Sequence, residues 1–108
     1  MKLELYQVKE EQLWCTITAD LTEGRLCISG HDLGPQVEKL LGNDEYEYFL
    51  SLDADNTKKL FASLECADKT DEEKLQVIRE SFENSRADSE LKRYCDEHGI
   101  ETSFWCWP

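Results

Sequence analysis

Positive charge is what this chain most lacks: 12 Lys and Arg stand against 24 Asp and Glu, a net charge of −12 over 108 residues. Phosphate recognition needs cations that displace counterions, so nucleic acid is a poor partner for this surface, and an anionic membrane face is disfavoured for the same reason. Proline and glycine are scarce, at two and five residues, and no low-complexity stretch or internal repeat occurs, which excludes a linker-like or repetitive chain. No apolar run approaches the roughly 20 residues of a membrane-spanning helix. The segment MKLELYQVKEE is interrupted by charge before the apolar core of a secretion signal can form. The phosphate-binding, dinucleotide-binding, nucleophile-elbow and zinc-protease patterns are all missing.

What is present suffices for a core. Hydrophobic residues make up 40% of the chain, with three Trp, four Tyr and four Phe. The length fits one domain spanning residues 1–108. Five cysteines, an odd number without scaffold-like spacing, read as reduced thiols, and the absence of an export signal places the expected location in the cytoplasm.

Periodicity divides the chain in two. Residues 3–8 and 12–21 read as strands joined at Lys9–Glu11. In the second, Leu13, Cys15, Ile17, Ala19 and Leu21 alternate with Trp14, Thr16, Thr18 and Asp20. Thr22–Arg25 is a turn with Gly24 where positive φ is easiest, leading into a third strand over Leu26–Ser29. The stretch Gly30–Pro35 breaks the pattern, and Pro35 opens a short helix to about Leu41. A fourth strand, EYEYFLSLD, puts Tyr46, Tyr48, Leu50 and Leu52 on one face and Glu45, Glu47, Phe49 and Ser51 on the other.

From residue 53 the period becomes helical. Asp53-Ala54-Asp55 can cap a helix carrying Leu60, Phe61 and Leu64. Thr70 to Glu73 is a capping box for a second helix with Leu75, Ile78 and Phe82. A third, starting at Ser85 or Asp88, carries Leu91, Tyr94 and Cys95 and closes at His98-Gly99. The tail IETSFWCW has strand character. The expectation is an α+β fold: an antiparallel sheet of about four to five strands with three or four helices packed on one face.

Candidate chemistry is thin. Cys95 and His98 form a C-x-x-H pair to which Cys106 could return, but structural zinc usually takes four ligands in closely spaced pairs, and only one pair exists. The bland alternative makes Cys95 a core residue and His98 a charge partner for a helix C-terminus. Asp53 to Thr57 starts like a calcium loop, yet Lys58 and Leu64 stand where Gly and Glu are required. His31-Asp32, between two glycines, is either a base with its orienting carboxylate or, more simply, a bend with Asp32 as a cap. No cofactor is implied.

Acid is concentrated in residues 30–57, where seven acids face Lys39 alone, and Tyr46, Tyr48 and Phe49 interleave with it. Aromatic anchors ringed by carboxylates suit a protein-binding surface steered by charge. The plain alternative is a solvated acidic face whose tyrosines point into the core, with the excess acid serving solubility. The leading expectation is therefore a small acidic protein-binding module, of the kind represented by immunity or inhibitor proteins that neutralise a basic toxin or nuclease. Its contact residues would be Asp44, Glu45, Tyr46, Glu47, Asp53 and Asp55, and its partner a basic protein. The alternative is a small metal-binding protein or enzyme centred on His31/Asp32 or on Cys95/His98/Cys106. The aromatic tail Phe104–Trp107 must dock on the chain's own core or form a homodimer seam.

Gly30–Gly34 (G-H-D-L-G), Glu45–Tyr48 (E-Y-E-Y), Asp96–Ile100 (D-E-H-G-I) and Phe104-Trp105 together resemble a group of short, uncharacterised bacterial proteins with a G-x-D-L-G … E-Y-E … H-G-I … F-W series. The resemblance runs from Leu26 onward and implies a bacterial source. It brings no activity and assigns no residue a role.

Overall fold

In the computed structural model, five strands and three helices are found among the described residues, which are 1–9, 14–33, 45–82 and 86–107, with the backbone alone for 45 and 107. The order is β1 (Lys2–Lys9), β2 (Trp14–Thr22), β3 (Arg25–Leu33), β4 (Glu45–Ser51), α1 (Ala54–Ser63), α2 (Asp71–Phe82), α3 (Ala87–Glu97) and β5 (Ser103–Trp107). The strands form one sheet in the spatial order β1-β2-β3-β4-β5, each pair antiparallel. This is an α+β chain with its strands mostly first and its helices later. The expected connection at residues 9–11 and the helix from Pro35 lie wholly or mostly outside the described residues.

The alternation of β2 survives intact: Cys15, Ile17, Ala19 and Leu21 are buried, and the residues between them are half-buried or exposed. The turn into β3 sets Glu23 at φ 52° and Gly24 at φ 75°, the doubly left-handed turn whose twist matches that of a hairpin. In β1 the apolar period skips between Leu5 and Tyr6, and the pairing with β2 shifts register at that point. The bulge lets Leu3 and Leu5 before it, and Tyr6 and Val8 after it, share the side of Ile17 and Cys15.

The third strand is longer than its pattern suggests. β3 does not stop at Ser29 but continues through Gly30, His31 and Asp32 to Leu33, paired with β2 on one side and β4 on the other. Gly30 is no bend. It lies opposite Tyr48, whose ring lies across it, and a Cβ at this position would fall within that ring. Glycine here makes room for an aromatic side chain inside the sheet.

The buried side chains of β1 to β4 join Leu60 and Phe61 of α1, Leu75, Ile78 and Phe82 of α2, and Leu91 and Cys95 of α3 in one core cluster. The capping box is formed as expected: Thr70 Oγ1 accepts from the Glu73 amide at 3.2 Å and donates to the Glu73 carboxylate at 2.9 Å. Two buried polar residues tie the helical half to the sheet. Thr57 accepts the Leu26 amide proton at 3.1 Å and faces the Leu52 carbonyl at 3.4 Å. Asn56 bonds Asp53 and accepts the Glu101 amide at 2.9 Å.

Two stability measurements follow from this packing. Gly30→Ala should cost about 1–3 kcal/mol in urea denaturation, because the added methyl overpacks against Tyr48. Thr57→Val keeps the side chain's volume but leaves the Leu26 amide without its partner, and should cost a similar ~1–3 kcal/mol. An unchanged midpoint in either variant would contradict the contact assigned to it.

Candidate functional site

Strand parity sorts the candidate residues before any chemistry does. Neighbours along a strand point to opposite sides, so His31 and Asp32 part company. His31 Nε2 lies 3.6 Å from Glu47 Oε1 across the β3–β4 pair, on the side away from the core. Asp32 is on the inward side, where the Cys15 thiol donates to it. The two do not make a base with its orienting carboxylate.

The outward side of the sheet combines Thr16 and Thr18 from β2, Ser29 and His31 from β3, and Glu47 and Phe49 from β4 around a shallow depression of about 350 Å³. Phe49 stacks on Trp105 of β5 with ring centroids 5.2 Å apart. Trp105 keeps 46% of its surface exposed, and Trp14, at the other end of the same side, 39%. Lys9 Nζ sits 4.8 Å from the Trp14 ring, close enough for a cation–π contact. The surface is thus a floor of short hydroxyl side chains with aromatic rings at its margins and a His–Glu pair within it.

Phe104 and Trp105 neither fill the core nor hang free. β5 pairs with β4, yet Phe104 is 47% exposed. It contacts Tyr48 on the inward side at 6.4 Å between ring centroids.

A second cluster sits on the inward side. Tyr48 is in electrostatic range of Tyr46, Cys15, Asp32 and Asp88, and Cys15 and Asp88 are in range of Asp32; Asp32 Oδ1 is buried with no hydrogen-bond partner among the described residues. Burial pushes the Cys15 thiol up to about 12, with the hydrogen bond to Asp32 and its charge adding to the rise. A hydrogen bond with Cys106, then burial, raises the Tyr46 phenol to about 12. Burial raises Tyr48 as well. These groups stay protonated at neutral pH, and thiols so held are poor nucleophiles.

Of the six residues expected to contact a partner, the four with described side chains do not form one patch. Glu47 is on the outward side and Tyr46 on the inward one. Asp53 is the N-cap of α1, its carboxylate accepting from the Asn56 amide at 2.8 Å, and Asp55 is exposed in the first turn of that helix. Asp44 is outside the described residues, and Glu45 is placed by its backbone alone. The residues Cys95, His98 and Cys106 also fall apart: Cys95 is in the core and its thiol raised to about 11 by burial, whereas His98 caps α3 with Nδ1 2.8 Å from the Tyr94 carbonyl oxygen, and Cys106 is exposed on β5. No group of three or more His, Cys, Asp or Glu that could hold a metal ion occurs among the described residues. No described helix is long and apolar enough to cross a membrane.

Sequence reasoning missed two contributors. Trp105 belongs with Phe49 only because β5 pairs beside β4, and the tail's own pattern carries no sign of that neighbour. Asp88, legible only as a helix start, is brought towards Asp32 by the docking of α3. Comparison with family models, curated proteins and solved structures finds no match to this chain.

Asp88 supplies a pH test. Burial raises its carboxyl above the ordinary value; the amides of Ser89 and Asp88 pull it back, and the Asp32 charge adds to the rise. A carboxyl with a raised folded-state pKa binds its proton more tightly when folded. Its ionisation therefore costs stability, fully above the raised value and not at all below the ordinary Asp range. Asp88→Asn should be more stable than the wild type at pH 7, and the advantage should vanish as pH falls below that range. Urea denaturation at neutral and acid pH measures both, and a less stable variant at pH 7 would reject the assignment.

Proposed function

We propose that this chain is a protein-binding module of the inhibitor or immunity type, and that it docks a basic protein on the outward side of its sheet, with the helices confined to the other side. The observation that carries the reading is the Phe49–Trp105 stack, half-exposed beside a hydroxyl-lined depression and the Glu47 carboxylate. Exposed aromatic anchors next to polar groups are what protein-docking surfaces concentrate, because rigid rings bury area at little entropic cost. A net charge of −12 steers a cationic partner in and repels an anionic one, with an effect that salt screens.

Glu47 stays in the contact surface, joined by Phe49, Trp105 and Trp14. Tyr46 becomes a support beneath it, and Asp53 and Asp55 contribute to the long-range field from the end of α1.

The test is capture from native lysate at low and high salt, using the wild type, Glu47→Gln and Phe49→Ala. A basic protein retained at low salt and released at high salt is expected, with Phe49→Ala weakening retention by about tenfold or more and Glu47→Gln chiefly slowing association. A captured protein that both variants hold as tightly as the wild type would place the docking surface elsewhere. No capture at either salt would leave the acidity as a solubility feature.

A further inference from the structure

The two edges of the sheet are built differently. An edge strand presents unpaired backbone amides and carbonyls, and chains ordinarily protect such edges with charge or with a bulge. β1 has both protections: Lys2, Glu4 and Lys9 along its length and the register shift between Glu4 and Tyr6. β5 is the other edge, and no described strand lies beyond it. Its five residues, SFWCW, include no Lys, Arg, Asp or Glu. It shows no register shift against β4, and Phe104 and Trp105 are half-exposed on its two sides.

We propose that β5 pairs with β5 of a second copy of this chain, antiparallel about a two-fold axis through Trp105, to make a ten-stranded sheet across the dimer. The occupant follows from the edge itself. A two-fold contact sets the residue on the axis against its own copy and brings the copies of its neighbours close, so a charged residue at or beside the axis would lie near a like charge. β5 is the edge that escapes this penalty. The pairing satisfies its free backbone groups and sets Trp105 against Trp105 of the second copy, an aromatic cross-strand pair. On the outward side the stack of Phe49 on Trp105 then continues across the axis to its counterpart.

Charge elsewhere opposes the dimer, since each copy carries −12. That sets the sign of its salt dependence. Added salt screens the repulsion between copies and leaves the uncharged seam untouched, so dimerisation strengthens with salt. Docking of a basic partner weakens with salt. The dimer measurement needs no partner, so its failure leaves the docking proposal standing, and failure of the docking proposal leaves the dimer standing.

Sedimentation velocity of the full chain over a wide concentration range, at low salt and at about 0.5 M NaCl, tests the proposal. A reversible monomer–dimer equilibrium is expected, tighter at high salt. Trp105→Lys places like charges at the axis while changing the net charge from −12 to −11, which reduces the general repulsion. A dissociation constant raised by about tenfold or more is therefore a local effect of the seam. Phe104→Lys charges the opposite side of the same strand and should act in the same direction, which keeps the test decisive should Trp105→Lys fail to fold. A monomer at every concentration and salt, a dimer indifferent to both substitutions, a dimer that salt weakens, or growth beyond the dimer would each overturn the proposal.

Discussion

The fold turns on the hydrogen bonds of two adjacent side chains, Asn56 and Thr57, 6% and 3% exposed at the start of α1. Thr57 meets the first residues of β3 and the chain leaving β4, and Asn56 meets the segment that leads into β5. Without these side chains the buried Leu26 amide would lose its partner, at about 1–3 kcal/mol, and the part-buried Glu101 amide would be released from α1. Asp53, bonding both the amide and the side chain of Asn56, holds that residue in place. The helical half of the chain is thereby anchored against the sheet, and β5 is brought back beside β4.

With that anchor in place, the sheet divides the chain's chemistry between two environments. On the inward side, acids and phenols lie among buried neighbours, and lost hydration outweighs every other influence on Cys15, Tyr48 and Asp88. Gly30 yields its side-chain space to Tyr48, which sets that ring among Asp32, Asp88 and Cys15. On the outward side, hydroxyl side chains, the His31–Glu47 pair and the exposed rings remain with the solvent. A single step along β3, from His31 to Asp32, crosses from one environment to the other. The residue pair that looked most like a catalytic dyad is separated by the geometry of the strand that carries it.

Much of this was legible in the residues. The unbroken alternation of β2, the Glu23-Gly24 turn, the Thr70–Glu73 capping box and the close of α3 at His98-Gly99 each follow from local rules, because the atoms that satisfy them are within a few residues of one another. The end of β3 was not legible, since the glycine that suggested a bend answers to Tyr48, 18 residues further on. Nor was the bulge in β1, which becomes visible only against the register of β2. The acidic stretch of residues 30–57 suggested one patch, but strand parity and the cap at Asp53 send its described members to different places.

By itself the sequence determined β2 and the turn after it, the three helices that follow β4, the faces of β2 and β4, and the sign of the surface charge, all properties of short-range backbone chemistry and composition. The tertiary structure alone decided that the tail becomes an edge strand, that Trp105 stacks on Phe49, and that Asp88 comes within range of Asp32. Those outcomes depend on contacts between residues far apart in the chain. No local preference encodes them, because each is set by the backbone groups and apolar stripes of both halves being satisfied together.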